Sequence, residues 1–123
     1  MKPFCEIVVQ NVLPGIRALI AKELMERHSL TQKDVALRLG VTQAAISQYM
    51  RQLRGLKIKI LQKDRTVTEE IEKLAGRIAA GELTAVTAMT ELCEICKTIR
   101  KNGLICDLHK QAFPDLEKCK ICV

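Results

Sequence analysis

Residues 31–51 (TQKDVALRLGVTQAAISQYMR) constrain the fold more than any other stretch, because they fix two helix starts and one helix stop in close succession. Thr31 and Asp34 form a capping box: the hydroxyl accepts the backbone N–H three residues on, and the carboxylate suits the positive helix start. The first helix runs to about Leu39, with Val35, Ala36 and Leu39 on one face. Ala36 is small where two helices must cross closely. Gly40 stands where the turn needs a left-handed residue, which glycine adopts cheaply. Thr42 caps a second helix whose Ile46, Tyr49, Met50 and Leu53 form an apolar stripe at i, i+3, i+4 and i+7. Two short helices joined by a tight glycine turn make a helix-turn-helix.

The residues facing away from that stripe are unusual for a solvated face. Gln43, Ala44, Ser47, Gln48 and Arg51 are short or amide-bearing, and four of the five can hydrogen-bond. Amides read adenine edges, Arg reads guanine or holds phosphate, and an Ala methyl meets a thymine methyl. With Thr42 on phosphate at the helix start, these six are the candidate contacts to a double-stranded DNA operator. Charge agrees: residues 1–65 hold 12 Lys+Arg against 5 Asp+Glu, and residues 66–123 hold 8 against 9. The basic half is the half that carries the motif, as attraction to phosphate requires.

Aromatic residues are 2% of the chain, so a core must come from Leu, Ile, Val, Ala and Met, which favours packed helices. The expected fold is all-α: a phage-repressor-like helix-turn-helix domain over residues 1–65, then a helical hairpin and a cysteine-rich tail over 66–123. Pro3, Phe4, Ile7 and Val8 suit a first short helix. Pro14-Gly15 reads as an interruption, after which Ile16, Leu19, Ile20 and Leu24 give the buried stripe of a helix ending near His28-Ser29, where His28 suits a helix C-terminus. In 54–65, Leu56, Ile58 and Ile60 alternate with Lys57 and Lys59, a period-two pattern that predicts an extended connector or wing. Lys57, Lys59 and Lys63 would then lie near phosphates or in solvent. Thr66 with Glu69 reads as a second capping box. Val67, Ile71, Leu74 and Ile78 form the next helical face, to about Gly81. Thr84 caps a last helix with the stripe Val86, Met89, Leu92, Cys93, Cys96 and Ile99, stopping at Asn102-Gly103. Two helices alone bury too little, so the hairpin must dock on the first domain or pair with a second chain. Helix-turn-helix proteins commonly read two half-sites as dimers, and the hairpin is the candidate surface for a homodimer.

No signal peptide and no membrane-length apolar run is legible, which reads as a cytoplasmic protein. Six cysteines in a reducing compartment then ask for chemistry. Cys5 stands apart and suits a small buried residue or a ligand equally. The other five follow C-x2-C-x9-C-x12-C-x2-C: Cys93, Cys96, Cys106, Cys119 and Cys122, with His109 three residues after Cys106. Two C-x2-C pairs let thiolates converge on one metal centre. Tetrahedral zinc would use four of these ligands and leave a thiol over. A [4Fe-4S] or [3Fe-4S] cluster would use three or four, with spares for redox or exchange. Spacing leaves zinc and cluster open. Nothing looks catalytic: no nucleophile–base pair and no Gly-rich phosphate loop is present, so the chain does not read as an enzyme.

The text Cys5-Glu6-Ile7-Val8-Val9, Val12-Leu13-Pro14-Gly15-Ile16-Arg17 and Gly40-Val41-Thr42-Gln43-Ala44-Ala45-Ile46-Ser47-Gln48-Tyr49 resembles archaeal helix-turn-helix regulators. It is similar in particular to the family whose longer members carry a thiamine-phosphate-synthase-like sensor domain. The resemblance covers about the first half of the chain. After residue 65 this chain has only the hairpin and the cysteine tail, so thiamine sensing does not carry over. Short members with tails of the Leu92-Cys93-Glu94-Ile95-Cys96 and Cys119-Lys120-Ile121-Cys122 type look like iron–sulfur or redox-responsive regulators. The resemblance therefore implies a cluster in preference to zinc, and a homodimeric transcription regulator controlled by it. The competing expectations are a regulator with structural zinc, and a redox or cluster-carrier protein that uses the helix-turn-helix to dock protein.

Overall fold

Pro14 decides where the described fold begins. A computed structural model describes residues 12–53 and 56–103, and its first helix, α1, is Leu13–Glu26. Pro14 lies in the first turn, where a missing N–H costs nothing and a fixed φ favours the helix. The expected interruption at Pro14-Gly15 is thus a helix start, and Gly15 is already buried. Ile16, Ala18, Leu19, Ile20, Ala21 and Leu24 are all buried, too broad a band for one neighbour. Accordingly α1 is the central helix, against which four others pack. It ends at Glu26, with the Arg27 N–H donating to the Glu23 carbonyl.

The expected helix pair follows as α2 (Gln32–Leu39) and α3 (Gln43–Gln52). Both halves of the capping box are present: the Asp34 N–H donates to Thr31 Oγ1 at 3.2 Å, and the Thr31 N–H donates to Asp34 Oδ2 at 3.3 Å. Gly40 closes α2 at φ 70°, in the left-handed region. Thr42 caps α3 by accepting from the Ala45 N–H at 3.1 Å. Val35, Ala36 and Ile46 are buried, and Leu39, Tyr49, Met50 and Leu53 pack half-buried against the same core.

The alternating segment is not extended. Leu56–Lys63 is a helix, α4, and no strand occurs among the described residues. An alternation of five residues is too short to outweigh Leu, Lys and Gln, which are good helix formers, and the helix buries Leu61, a position outside the alternation. Helix α5 (Arg65–Ala79) also starts differently from the expected Thr66–Glu69 box: Asp64 is the cap, accepting from the Val67 N–H at 3.0 Å. A donor from the end of the next helix, Asn102 Nδ2 at 3.1 Å, takes the second Asp64 oxygen and favours that choice. Val67, Ile71, Leu74 and Ile78 are buried as expected.

Helix α6 (Ala85–Lys101) starts at the expected Thr84 cap, which forms a box with Thr87. Its buried side differs from the expected stripe. Ala88, Ile95 and Ile99 face the core, Leu92 and Cys96 are half-buried, and Val86, Met89 and Cys93 are exposed. The helix is apolar over more than one face, and small Ala88 selects which face approaches. Of the two expected fates for the hairpin, docking on the first helices is realised: α5 packs along α1, and Arg38 Nη1 on α2 donates to the Ile78 carbonyl at 2.8 Å. Buried side chains from Val12 to Ile99 form a single core. No described helix is long and apolar enough to cross a membrane. The expected first helix before residue 12 lies outside the described residues, as does Cys5.

Candidate nucleic-acid interface and thiol pair

Ile46 anchors α3, with no exposed surface, and thereby turns the opposite face outward. Thr42, Gln43, Ala44, Gln48 and Arg51 are all exposed on or beside that face. Ser47 is half-buried and donates to Gln32 Oε1 at 3.2 Å. Gln32 is the first residue of α2, so this bond ties the outward face of α3 to the start of the helix before it. Sequence reasoning had no role for Gln32, although a glutamine at a helix start, able to reach a neighbouring helix, is a usable signal. The ring of exposed amides, a methyl and a guanidinium on one rigid helix matches what direct reading of base edges in a major groove requires. Lys59 and Lys63 of α4 are exposed nearby in sequence.

Beyond the shared core, two contacts tie the pair to the α5–α6 hairpin. One is Arg38 to the Ile78 carbonyl. The other is at the turn itself: a Cβ on Gly40 would lie 3.0 Å from the Cβ of Ala85 at the start of α6. Glycine is required there twice, by its left-handed φ and by the close approach.

Residues 22–63 match the Helix-turn-helix family. The match takes in the last turn of α1 and all of α2, α3 and α4, the elements that build and support the outward face. This is a family of DNA-binding regulatory domains. No curated protein and no solved structure matches the chain.

Of the five clustered cysteines, Cys93 and Cys96 lie within the described residues, and Cys106, Cys119 and Cys122 lie outside them, as does His109. Cys93 and Cys96 are one turn apart on α6, on neighbouring positions of one face, so their sulfurs can approach one ion or cluster edge. Cys93 is exposed and Cys96 half-buried. Burial first, and the neighbouring Cys93 thiol second, push the Cys96 thiol up to about 11, while Arg100 and Arg17 pull the other way. At neutral pH Cys96 is therefore protonated, and a metal would have to displace that proton. Among the described residues no three Cys, His, Asp or Glu side chains converge, so a site built on this pair needs ligands from outside the described residues.

Proposed function

We propose that this protein is a sequence-specific DNA-binding transcription regulator that lays α3 in the major groove, with Gln43, Ala44, Ser47, Gln48 and Arg51 at base edges and Thr42 at phosphate. The observation that carries this reading is the division of α3. Ile46 is fully buried while five of the six candidate contacts are exposed, within a span that matches the Helix-turn-helix family. Two copies would read two half-sites a helical turn apart, with the α5–α6 hairpin supplying the contact between them.

The thiol pair supports a second layer of the same reading. Cys93 is exposed, Cys96 is half-buried, and the two are one turn apart, which fits thiolate ligation of iron or zinc once tail cysteines join them. In this reading three or four of Cys93, Cys96, Cys106, Cys119 and Cys122 supply the thiolates of an iron–sulfur cluster, in keeping with the resemblance to short archaeal regulators. A bound cluster supplies a centre that changes with oxidation or loss. The protein's part is to hold two of its ligands on α6, whose first turn abuts the helix-turn-helix turn at Gly40. A structural zinc site would use four ligands of the same tail without the sensing.

The test is a selection of bound sequences from random DNA, followed by titration at several salt concentrations. A regulator gives a defined site, and specific binding falls steeply with salt. Gln43→Ala and Gln48→Ala should each weaken the selected site by about 1–3 kcal/mol and leave non-specific binding nearly unchanged. If both variants bind every sequence as the parent does, α3 is not the reading helix. Iron, sulfide and zinc analysis of anaerobically purified protein decides the second layer. Colourless protein with stoichiometric zinc would exclude the cluster.

A further inference from the structure

Between α3 and α6 lies an open groove of about 380 Å³, within the range of about 300–1,000 Å³ typical of small-molecule sites. One wall is the helix-turn-helix turn, Leu39, Gly40 and Val41, with Tyr49 of α3. The other is the first half of α6, including Met89 and Leu92, and Ile20 and Arg17 of α1 also line the groove. These walls are mainly apolar. Val86 and Met89 at its rim are 71% and 60% exposed, so no described part of the chain covers it. Arg17 is half-buried, and its guanidinium has no hydrogen-bond or ion-pair partner among the described residues.

We propose that this groove is a binding site for a small amphipathic anion, an apolar acid whose hydrocarbon body lies along Ile20, Tyr49, Met89 and Leu92 and whose carboxylate pairs with Arg17. Charge complementarity selects this occupant. A guanidinium held against apolar side chains is stabilised by a bidentate carboxylate. A second copy of the chain brings no free acid from the matching helix: Glu91 is paired with Arg77 at 3.2 Å, and Glu94 with Lys97 at 2.9 Å. The position gives the site a consequence. A molecule seated here touches the turn at Gly40 and α6 at once, and so acts on how α3 is held. That regulatory consequence rests on the DNA reading above; the binding itself does not.

Tyr49 makes the test direct, because the chain has one Tyr and no Trp and its emission reports from the groove wall. The probes are decanoate, decanol and decyltrimethylammonium, each titrated below its micelle concentration into the full-length protein without DNA. Decanoate should change Tyr49 emission saturably at one molecule per chain, and the cationic probe should not. Arg17→Gln should weaken decanoate about tenfold, the loss of one charge-assisted pair, and leave decanol unchanged. Met89→Lys at the exposed rim should weaken decanol. Four outcomes would overturn the proposal. They are no saturable change, equal binding of all three probes, a dimer by sedimentation that Met89→Lys breaks and decanoate does not, and an Arg17→Gln variant that loses bound metal while binding decanoate normally. The last would assign Arg17 to the thiol pair.

Discussion

Helices α3 and α6 lie on one core and show solvent opposite faces. Each is anchored by fully buried isoleucines, Ile46 in α3 and Ile99 in α6. What they turn outward differs: amides, a methyl and a guanidinium on α3, and Val86, Met89 and a thiol on α6. Burial follows the same rule in both helices and says little about role. The outward face carries the chemistry, hydrogen-bonding polar groups in one case and apolar surface beside sulfur in the other.

The strongest way to break this comparison is to cut the anchor of α3. Ile46→Ala should destabilise the protein by about 2–5 kcal/mol, seen as a lower urea midpoint, because it leaves a cavity in a closed core. Gln48→Ala, two residues on, should change stability by less than about 0.5 kcal/mol while costing specific DNA binding. If the two variants lose stability alike, the faces of α3 are misassigned. Gly40→Ala comes next, at about 2 kcal/mol. A left-handed φ of 70° costs any side chain, and the added Cβ meets that of Ala85 at 3.0 Å. Thermal unfolding measures it, and a neutral result would mean that α6 does not press on the turn.

These examples also show what the sequence could and could not specify. The α2–α3 pair was legible because its limits are set by bonds three residues apart, Thr31 with Asp34 and Thr42 with Ala45, and by one glycine. The start of α5 was not, because Asp64 and Thr66 are both good caps and the deciding Asn102 is 38 residues away. Residues 56–60 were misread for a related reason: five alternating residues fit a strand, yet the same residues have strong helix propensity. The face of α6 was legible only in part, since apolar residues surround much of it and Ala88 fixes the approach by being small. At the candidate interface, the exposed contacts came from local pattern. The Ser47–Gln32 and Arg38–Ile78 bonds that hold their helices join distant residues, and no short-range signal announces them.

The rotation of α6 is open to a milder test. Val86→Asn should change stability by less than about 0.5 kcal/mol, because the parent side chain is already 71% exposed. Ile95→Asn buries an amide in the core and should cost about 2 kcal/mol or more by the same urea measurement. Equal losses would restore the stripe read from the sequence and remove the exposed apolar face from which the groove proposal starts.

The smallest effect separates the two helix starts by pH. Asp34 at the box of α2 is held below its ordinary 3.8, chiefly by the Thr31 hydroxyl and then by the Thr31 N–H. A carboxylate depressed in the folded state adds stability that is complete above the unfolded value and is lost as pH falls through the folded one. The box of α6 pairs Thr84 with Thr87, two groups that do not titrate. Acidification from pH 5 to below 3.8 should therefore weaken the start of α2 while sparing that of α6, read as amide exchange at Asp34 and Val35 against Thr87 and Ala88. Asp34→Asn should flatten that pH dependence at α2, and Thr87→Ala should leave it unchanged. If both starts fray together on acidification, the Asp34 box is not what holds the first helix of the helix-turn-helix, and α2 depends instead on the Arg38 bond to Ile78.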